Sequence, residues 1–496
     1  MLLSFEDTHY AFAMASICVA VFIHTPFGSG TVLHFCGICL PAQLSGRFNA
    51  KLVQKILSTC CGGSARCRTQ ASVYINRAAT PYRRAAVNTV SYCPNSLCTG
   101  TADAADVEVY GPEVARVARA FHQGFDRYAP TPLVRLKNLA HELGLGEILV
   151  KDESQRFGLN AFKVLGGSYA VARYLARRLD LPMSRVSPQL LRSAEVHEQL
   201  GKITLVTATD GNHGRGVAWT AQQLGMGATV FMPAGSAPVR AENIRKTGAQ
   251  CTITDLNYDD TVRLAMQHAQ ETDGVLVQDT AWDGYEEVPL WIMQGYTTLA
   301  LEADEQWRDC GLRPPTHIFL QAGVGSFAAA VLGYFAAVWG DAAPQVITVE
   351  PQAADCFFRS FMAGNSAPRA VSGHMRTIMA GLACGEPSSL CWPLLRDRAV
   401  GGLSCHDVVA ANGMRILAAP LPGDSPVCSG ESGAAPLGAI EHIMKNPQMQ
   451  DVRQALRLDA ASRILLFSTE GDTSPELYRQ IVWYGRCAGV EAGWPS

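Results

Sequence analysis

A charge balance skewed to one sign is what this sequence most plainly lacks. Its 496 residues carry 41 Lys and Arg against 44 Asp and Glu, a net charge of −3, with no dense basic cluster. That excludes the electrostatic footprint of a nucleic-acid binder. Long apolar runs are missing too. The run at residues 11–23 is too short to span a bilayer. It follows Glu6 and Asp7 rather than Lys or Arg, which makes it a poor signal peptide. No membrane partner is expected. A metal quartet is absent: Cys36-Gly37-Ile38-Cys39 has no second pair at a matching spacing, so no metal is expected. The eight cysteines from Cys251 onward are scattered and read as buried thiols of an intracellular, cytoplasmic protein. Spacing does not say whether Cys356 and Cys384 pair. Missing last is an early glycine fingerprint with an acid about twenty residues later, which disfavours a dinucleotide oxidoreductase.

What is present is a large apolar chain, 48% hydrophobic with 45 glycines, enough for two lobes with many tight turns. The first hundred residues show no clear period. They are compatible with a disordered tail, a targeting segment or a start set too early. The folded unit should begin between about 75 and 115. Residues 114–121 are amphipathic, and the segment 128–133 is fixed by prolines. Short apolar strands are predicted at 147–150, 203–207, 228–232, 251–254, 275–278, 317–320, 345–349 and 463–467. Helical patterns follow them, as at 168–175, 259–271, 289–307 and 327–338. Such strands, apolar on both faces, predict an α/β fold of open parallel sheets with helices on both sides. Ligands of such folds bind beyond the carboxyl ends of the strands.

The unusual residues stand there. Asn160-Ala161-Phe162-Lys163 leads into a helix, placing an amine among apolar and small neighbours. Burial should lower its pKa and leave the nucleophile that a Schiff base needs. The alternative is a lysine that snorkels to solvent. Gln321-Ala322-Gly323-Val324-Gly325-Ser326 joins a strand to a helix almost without polar residues. Its amides and the helix N-terminus suit a phosphomonoester. No lysine follows as in a nucleotide loop, and Ala328 breaks the dinucleotide spacing. Tight packing of a glycine turn is the alternative. In Thr209-Asp210-Gly211-Asn212-His213, Asn212 can donate to a phenolate, and Asp210 is a candidate base, cation binder or simple N-cap. His213 and Arg215 read as structural. Asp279, in Gln278-Asp279-Thr280-Ala281-Trp282, has the same ambiguity between chemistry and capping. So do the hydroxyls of Ser468-Thr469-Glu470-Gly471-Asp472-Thr473.

Together with Met379-Ala380-Gly381-Leu382, these strings resemble the fold-type II pyridoxal-phosphate enzymes, the tryptophan synthase β-like family. The resemblance covers residues 105–490 and leaves 1–104 unmatched. It implies two lobes with pyridoxal 5′-phosphate in the cleft between them. Lys163 would carry the cofactor, Gly323, Val324, Gly325 and Ser326 its phosphate, Asn212 its O3′, and Ser468 or Thr469 its ring nitrogen. The narrower resemblance is to members that release ammonia from 2,3-diaminopropionate by α,β-elimination. The serine and threonine dehydratases of the family have a small hydroxyl residue where Asp210 stands. An acid there suits a substrate with a second amine, and it can serve as base for one enantiomer, Lys163 serving the other. Asp279 would place or protonate the β-amine. The family further implies a homodimer acting in amino-acid catabolism on a small amino acid. Two alternatives stand beside this: a dehydratase-type ammonia-lyase and a non-catalytic cofactor-binding protein.

Overall fold

The structure is a computed structural model, and it describes residues 16–27, 30–41, 89–100 and 104–488. The chain divides into two compact units, Met1–Ala86 and Val87–Ser496. In the first, β1 (Ser16–Phe27) and β2 (Gly30–Pro41) pair antiparallel, with Cys18 opposite Cys39. Two strands thus stand in a segment whose sequence has no clear period. The other residues before 89, which include part of the apolar run, lie outside the described residues.

The second unit holds two sheets. The larger takes in β3 (Val90–Pro94), β4 (Leu133–Arg135), β5 (Glu147–Asp152), β10 (His317–Gln321), β11 (Gln345–Pro351), β12 (Ala399–Cys405) and β13 (Arg463–Ser468). Their order is β3-β12-β11-β10-β13-β5-β4. The smaller contains β6 (Thr204–Ala208), β7 (Gly227–Met232), β8 (Gln250–Ile253) and β9 (Val275–Leu276), in the order β8-β7-β6-β9. The smaller sheet is parallel throughout. The larger is parallel in its centre, as expected, and carries an antiparallel strand at each edge, β3 and β4. A chain that reaches its neighbour without a long crossover pairs antiparallel, and β4 meets β5 after one short helix. The sheet also begins at β3, ahead of residue 105.

The eight strands read from the sequence stand within a few residues of their expected bounds. β5 and β10 are buried at every position, as strands covered on both faces must be. β12 escaped the pattern because glycines interrupt it. They are there for space: a Cβ on Gly401 would lie 2.7 Å from the Cys93 carbonyl oxygen, and one on Gly402 2.9 Å from Thr348 Oγ1.

The helices that matter for the site are α1 (Pro112–Gln123), α2 (Val164–Arg178), α3 (Asn212–Leu224), α4 (Pro238–Arg245), α5 (Glu287–Asp309), α6 (Ser326–Trp339) and α7 (Glu431–Lys445). Lys163 opens α2, whose first turn is clamped between neighbours. A Cβ on Gly166 would meet the Tyr296 ring of α5 at 2.5 Å. One on Gly216 of α3 would meet Val164 Cα at 2.8 Å. Close packing leaves little room for the lysine backbone to shift. Among the described residues no helix is long and apolar enough to cross a membrane.

Candidate active site

Residues 160–162 lie against the turn after β13. Ala161 bridges Glu470, the Phe162 amide donates to the Thr469 carbonyl at 3.1 Å, and the Gly471 amide donates to the Asn160 carbonyl at 3.0 Å. Asn160 takes a left-handed conformation, φ 62°, and its amide donates to Asp472 Oδ1 at 2.8 Å. Two strings three hundred residues apart are thereby fixed edge to edge, and Lys163 follows directly.

The Lys163 ammonium forms an ion pair with Asp279. Its side chain is 18% exposed, so it does not snorkel to solvent. The expected direction of its pKa is corrected. Burial does oppose the charge, but Asp279, and beyond it Tyr296 and Asp210, outweigh burial and raise the pKa above the ordinary lysine value. The sequence reading counted the apolar neighbours and not the acid that folding brings.

Asp279 follows β9 and is 2% exposed. Burial alone would raise its pKa. His213 and Lys163 reverse that and hold the carboxyl down at about 2. Its Oδ1 accepts from Tyr258 Oη at 3.4 Å, and its backbone carbonyl accepts from Ser326 Oγ at 2.6 Å. Capping is therefore not its task. Asp210, after β6, behaves in the opposite way. Burial raises its pKa, and Lys163 and Arg240 pull it back only in part. It is not an N-cap either. Gly211 holds that position, and Thr209 Oγ1, from two residues before it, accepts from the Gly211 and Gly214 amides at 2.9 and 3.0 Å. The side chains of His213 and Arg215 contact the Val277 and Leu159 carbonyls at 2.7 and 3.0 Å, and His213 Nδ1 lies 3.8 Å from Asp279 Oδ2.

The glycine turn sits between β10 and α6. Gly325 has φ 100°, and a Cβ on it would come within 2.5 Å of the Phe357 ring, so only glycine fits. No side chain caps α6, which leaves its first amides pointing at the cavity. Cys356 and Cys384 lie on the two sides of Gly323, both as free thiols: Cys356 Sγ is 3.8 Å from the Gly323 carbonyl oxygen, and a Cβ on Gly323 would lie 3.4 Å from Cys384 Sγ.

One cavity collects Lys163, Asp210, Asn212, Asp279, the turn 323–326 and Thr469. Ser468 is the exception. It is fully buried, its hydroxyl donating to the Glu470 carbonyl at 3.4 Å, and it does not reach the cavity. Sequence reasoning missed Tyr258, Tyr296 and Ser432 on the wall, which no motif marks. It quoted Glu470 without giving it a part. That carboxylate accepts from Asn212 Nδ2 at 2.6 Å and from the Ser432 amide at 3.2 Å.

The cavity suits pyridoxal phosphate on its own features. A glycine cradle at a helix N-terminus is ready for a dianion. Three wall atoms, Tyr296 Oη, Gln321 Oε1 and Ser432 Oγ, are buried without a hydrogen-bond partner in the protein, which marks a polar ligand site. The lysine sits on the same cavity as the cradle, linked to it through Asp279 and Ser326.

The comparisons agree. Residues 125–464 match the family model described as pyridoxal-phosphate dependent enzyme, and the chain belongs to that family. One branch of it shares high identity with this chain. Over 370 residues the chain is 55% identical to the diaminopropionate ammonia-lyase of Salmonella typhimurium, covering 74% of this chain and 92% of that protein. The crystal structure of the Escherichia coli diaminopropionate ammonia-lyase in complex with D-serine superposes with a TM-score of 0.75 at 47% identity, over 80% of this chain and 98% of that one. The same enzyme in complex with an aminoacrylate–PLP azomethine reaction intermediate gives a TM-score of 0.73 at 47% identity, with the same coverage. Within the pyridoxal-phosphate enzymes, the chain is a member of the diaminopropionate ammonia-lyases.

Proposed function

We propose that this cavity performs the α,β-elimination of 2,3-diaminopropionate to pyruvate and ammonia, with Lys163, Asp210 and Asp279 as its working groups. The observation that carries the reading is the Lys163–Asp279 ion pair on a cavity that also holds Asp210. Pyridoxal phosphate, when bound, supplies the electron sink for charge developing at Cα. Lys163 would attach it, the amides of 323–326 would hold its phosphate, and Thr469, rather than Ser468, would face its ring nitrogen. Asn212 donates one amide hydrogen to Glu470 and keeps a second for the phenolate.

Asp279 is ionised at neutral pH, so it holds the substrate's β-ammonium instead of delivering a proton to it. That contact has a second effect. A β-ammonium that engages Asp279 deprives Lys163 of its counter-ion. Burial then governs the lysine and favours the free amine. A diamino acid thus prepares its own base, which a hydroxy amino acid such as serine does not. Lys163 takes the Cα proton of one enantiomer and Asp210 that of the other.

The catalytic unit is assigned to residues 105–490 together with β3, which pairs with β12, and the residues before Val87 are read as an extension. The protein works as a cytoplasmic homodimer. The free thiols from Cys93 to Cys428 suit a reducing compartment, and the dimer rests on the family resemblance. In purified enzyme, Lys163→Ala should abolish the cofactor's visible absorption band and lower turnover by more than about a thousandfold. Pyruvate release from diaminopropionate should far exceed that from serine or threonine. The reverse order would return the chain to the dehydratase reading, and a cofactor band without turnover to the non-catalytic one.

A further inference from the structure

Arg240 stands outside every motif. It follows no strand and lies on the short helix α4, yet it is 6% exposed. A buried guanidinium needs partners, and those it has are informative. Its Nη1 lies 3.5 Å from Asp210 Oδ2 and 3.4 Å from the Asp210 carbonyl oxygen. Its Nε donates to Ser474 Oγ at 3.2 Å and its Nη2 to Thr473 Oγ1 at 3.3 Å. The arginine thus ties the acid that ends β6, in the smaller sheet, to the loop after β13, in the larger. Gly211 is shaped around it: φ is 144°, and a Cβ there would come within 2.9 Å of Arg240 Cδ. The flexible-looking Asp-Gly pair is a seat for the guanidinium.

We propose that Arg240 is a positioning residue for the second enantiomer's base: it holds the Asp210 carboxylate ionised and oriented by anchoring it across the cleft to Thr473 and Ser474. This rests on the reading of Asp210 as a base. The logic is electrostatic. Four charged groups act on Asp210 or beside it: Lys163 and Arg240 favour its ionised form, while Glu470 and Asp279 oppose it. Tyr258, Tyr296 and Cys384 face the same space with pKa values raised by burial, and His213 with one lowered by burial. Lys163 is shared with Asp279. Arg240 is the cation that approaches Asp210 without an acid at hydrogen-bond distance competing for it. Its remaining nitrogen contacts are hydroxyls, which orient it, while Glu470 and Glu431, beyond hydrogen-bond distance, also favour its charge.

The test uses holoenzyme and both enantiomers of diaminopropionate, comparing Asp210→Asn, Arg240→Gln and Arg240→Lys. Arg240→Gln should lower kcat/KM for the enantiomer served by Asp210 by about tenfold or more. It should also move the acid limb of that enantiomer's pH profile upward by about one unit. The other enantiomer and the cofactor's visible circular dichroism should change little. Arg240→Lys should restore the acid limb and part of the rate, because it returns the charge without the fork. Should Arg240→Gln fold poorly, the pair Thr473→Val and Ser474→Ala removes the anchors instead and should give the same enantiomer bias in weaker form. If Asp210→Asn is biased between enantiomers and the Arg240 and anchor variants are not, or the acid limb stays in place, the inference on Arg240 is overturned. If Asp210→Asn itself shows no bias, the reading of Asp210 falls first.

Discussion

Asp210 and Asp279 end neighbouring strands of the same four-stranded sheet, both facing Lys163, and they titrate in opposite directions. Burial pushes both carboxyls up. What separates them is the company folding supplies. Asp279 has Lys163 in direct contact and His213 Nδ1 at 3.8 Å. Asp210 has the charge of Lys163 without a hydrogen bond from it, a guanidinium at 3.5 Å, and Glu470 and Asp279 as unfavourable neighbours. One acid is therefore a permanent anion suited to holding an ammonium. The other lies nearer the point of exchanging a proton, which is what a base must do. On the proposed reading, identical side chains after neighbouring strands serve as a binder and a base because their second partners differ.

The difference can be broken most forcefully at Asp279. Asp279→Asn should lower kcat/KM by about a thousandfold for both enantiomers, since it removes the β-ammonium site and the partner of Lys163 together. A loss confined to one enantiomer would place it in the role given to Asp210. Asp210→Asn should cost about a hundredfold, and for one enantiomer only.

The pH profiles sharpen the comparison. Because the Asp210 pKa is raised, its enantiomer should lose activity as pH falls through that raised pKa, and Asp210→Asn should remove that acid limb. Stability of the cofactor-free chain should show the reverse pattern. Asp279's folded pKa, lowered from 3.8 to about 2, contributes stability above 3.8 that disappears as pH drops through that interval. Asp279→Asn should flatten the acid side of the unfolding curve there, and Asp210→Asn should not.

The smallest effect concerns the edge of the larger sheet. A chain shortened to begin at Val87 keeps β3 and should retain full activity. One beginning at 105 loses β3 and bares the edge of β12, and should unfold at lower temperature while keeping its substrate preference. Equal melting temperatures for the two would remove β3 from the catalytic unit.

Most of this fold could be read in the chain because its strands are short, apolar and followed by helices. The site was legible for a related reason: Lys163, Asp210, Asp279 and the turn 323–326 all stand at strand ends or helix starts, where local patterns point. What stayed hidden depends on contacts between distant segments. Arg240 sits on a helix with no marker, and its value comes from Asp210 and Thr473. The raised pKa of Lys163 needed Asp279, 116 residues away in the chain. The choice between Ser468 and Thr469 turned on which of two adjacent side chains faces the cleft, with Gln321 Nε2 donating to Thr469 Oγ1 at 2.7 Å. β12 was masked by glycines that serve packing rather than turning.

All of these roles meet on one amine. Borohydride reduction of the holoenzyme followed by peptide mapping tests that most directly. The account predicts a stable pyridoxyl label on Lys163, and no label at that peptide in Lys163→Ala. A label on any other lysine of the native enzyme would contradict it.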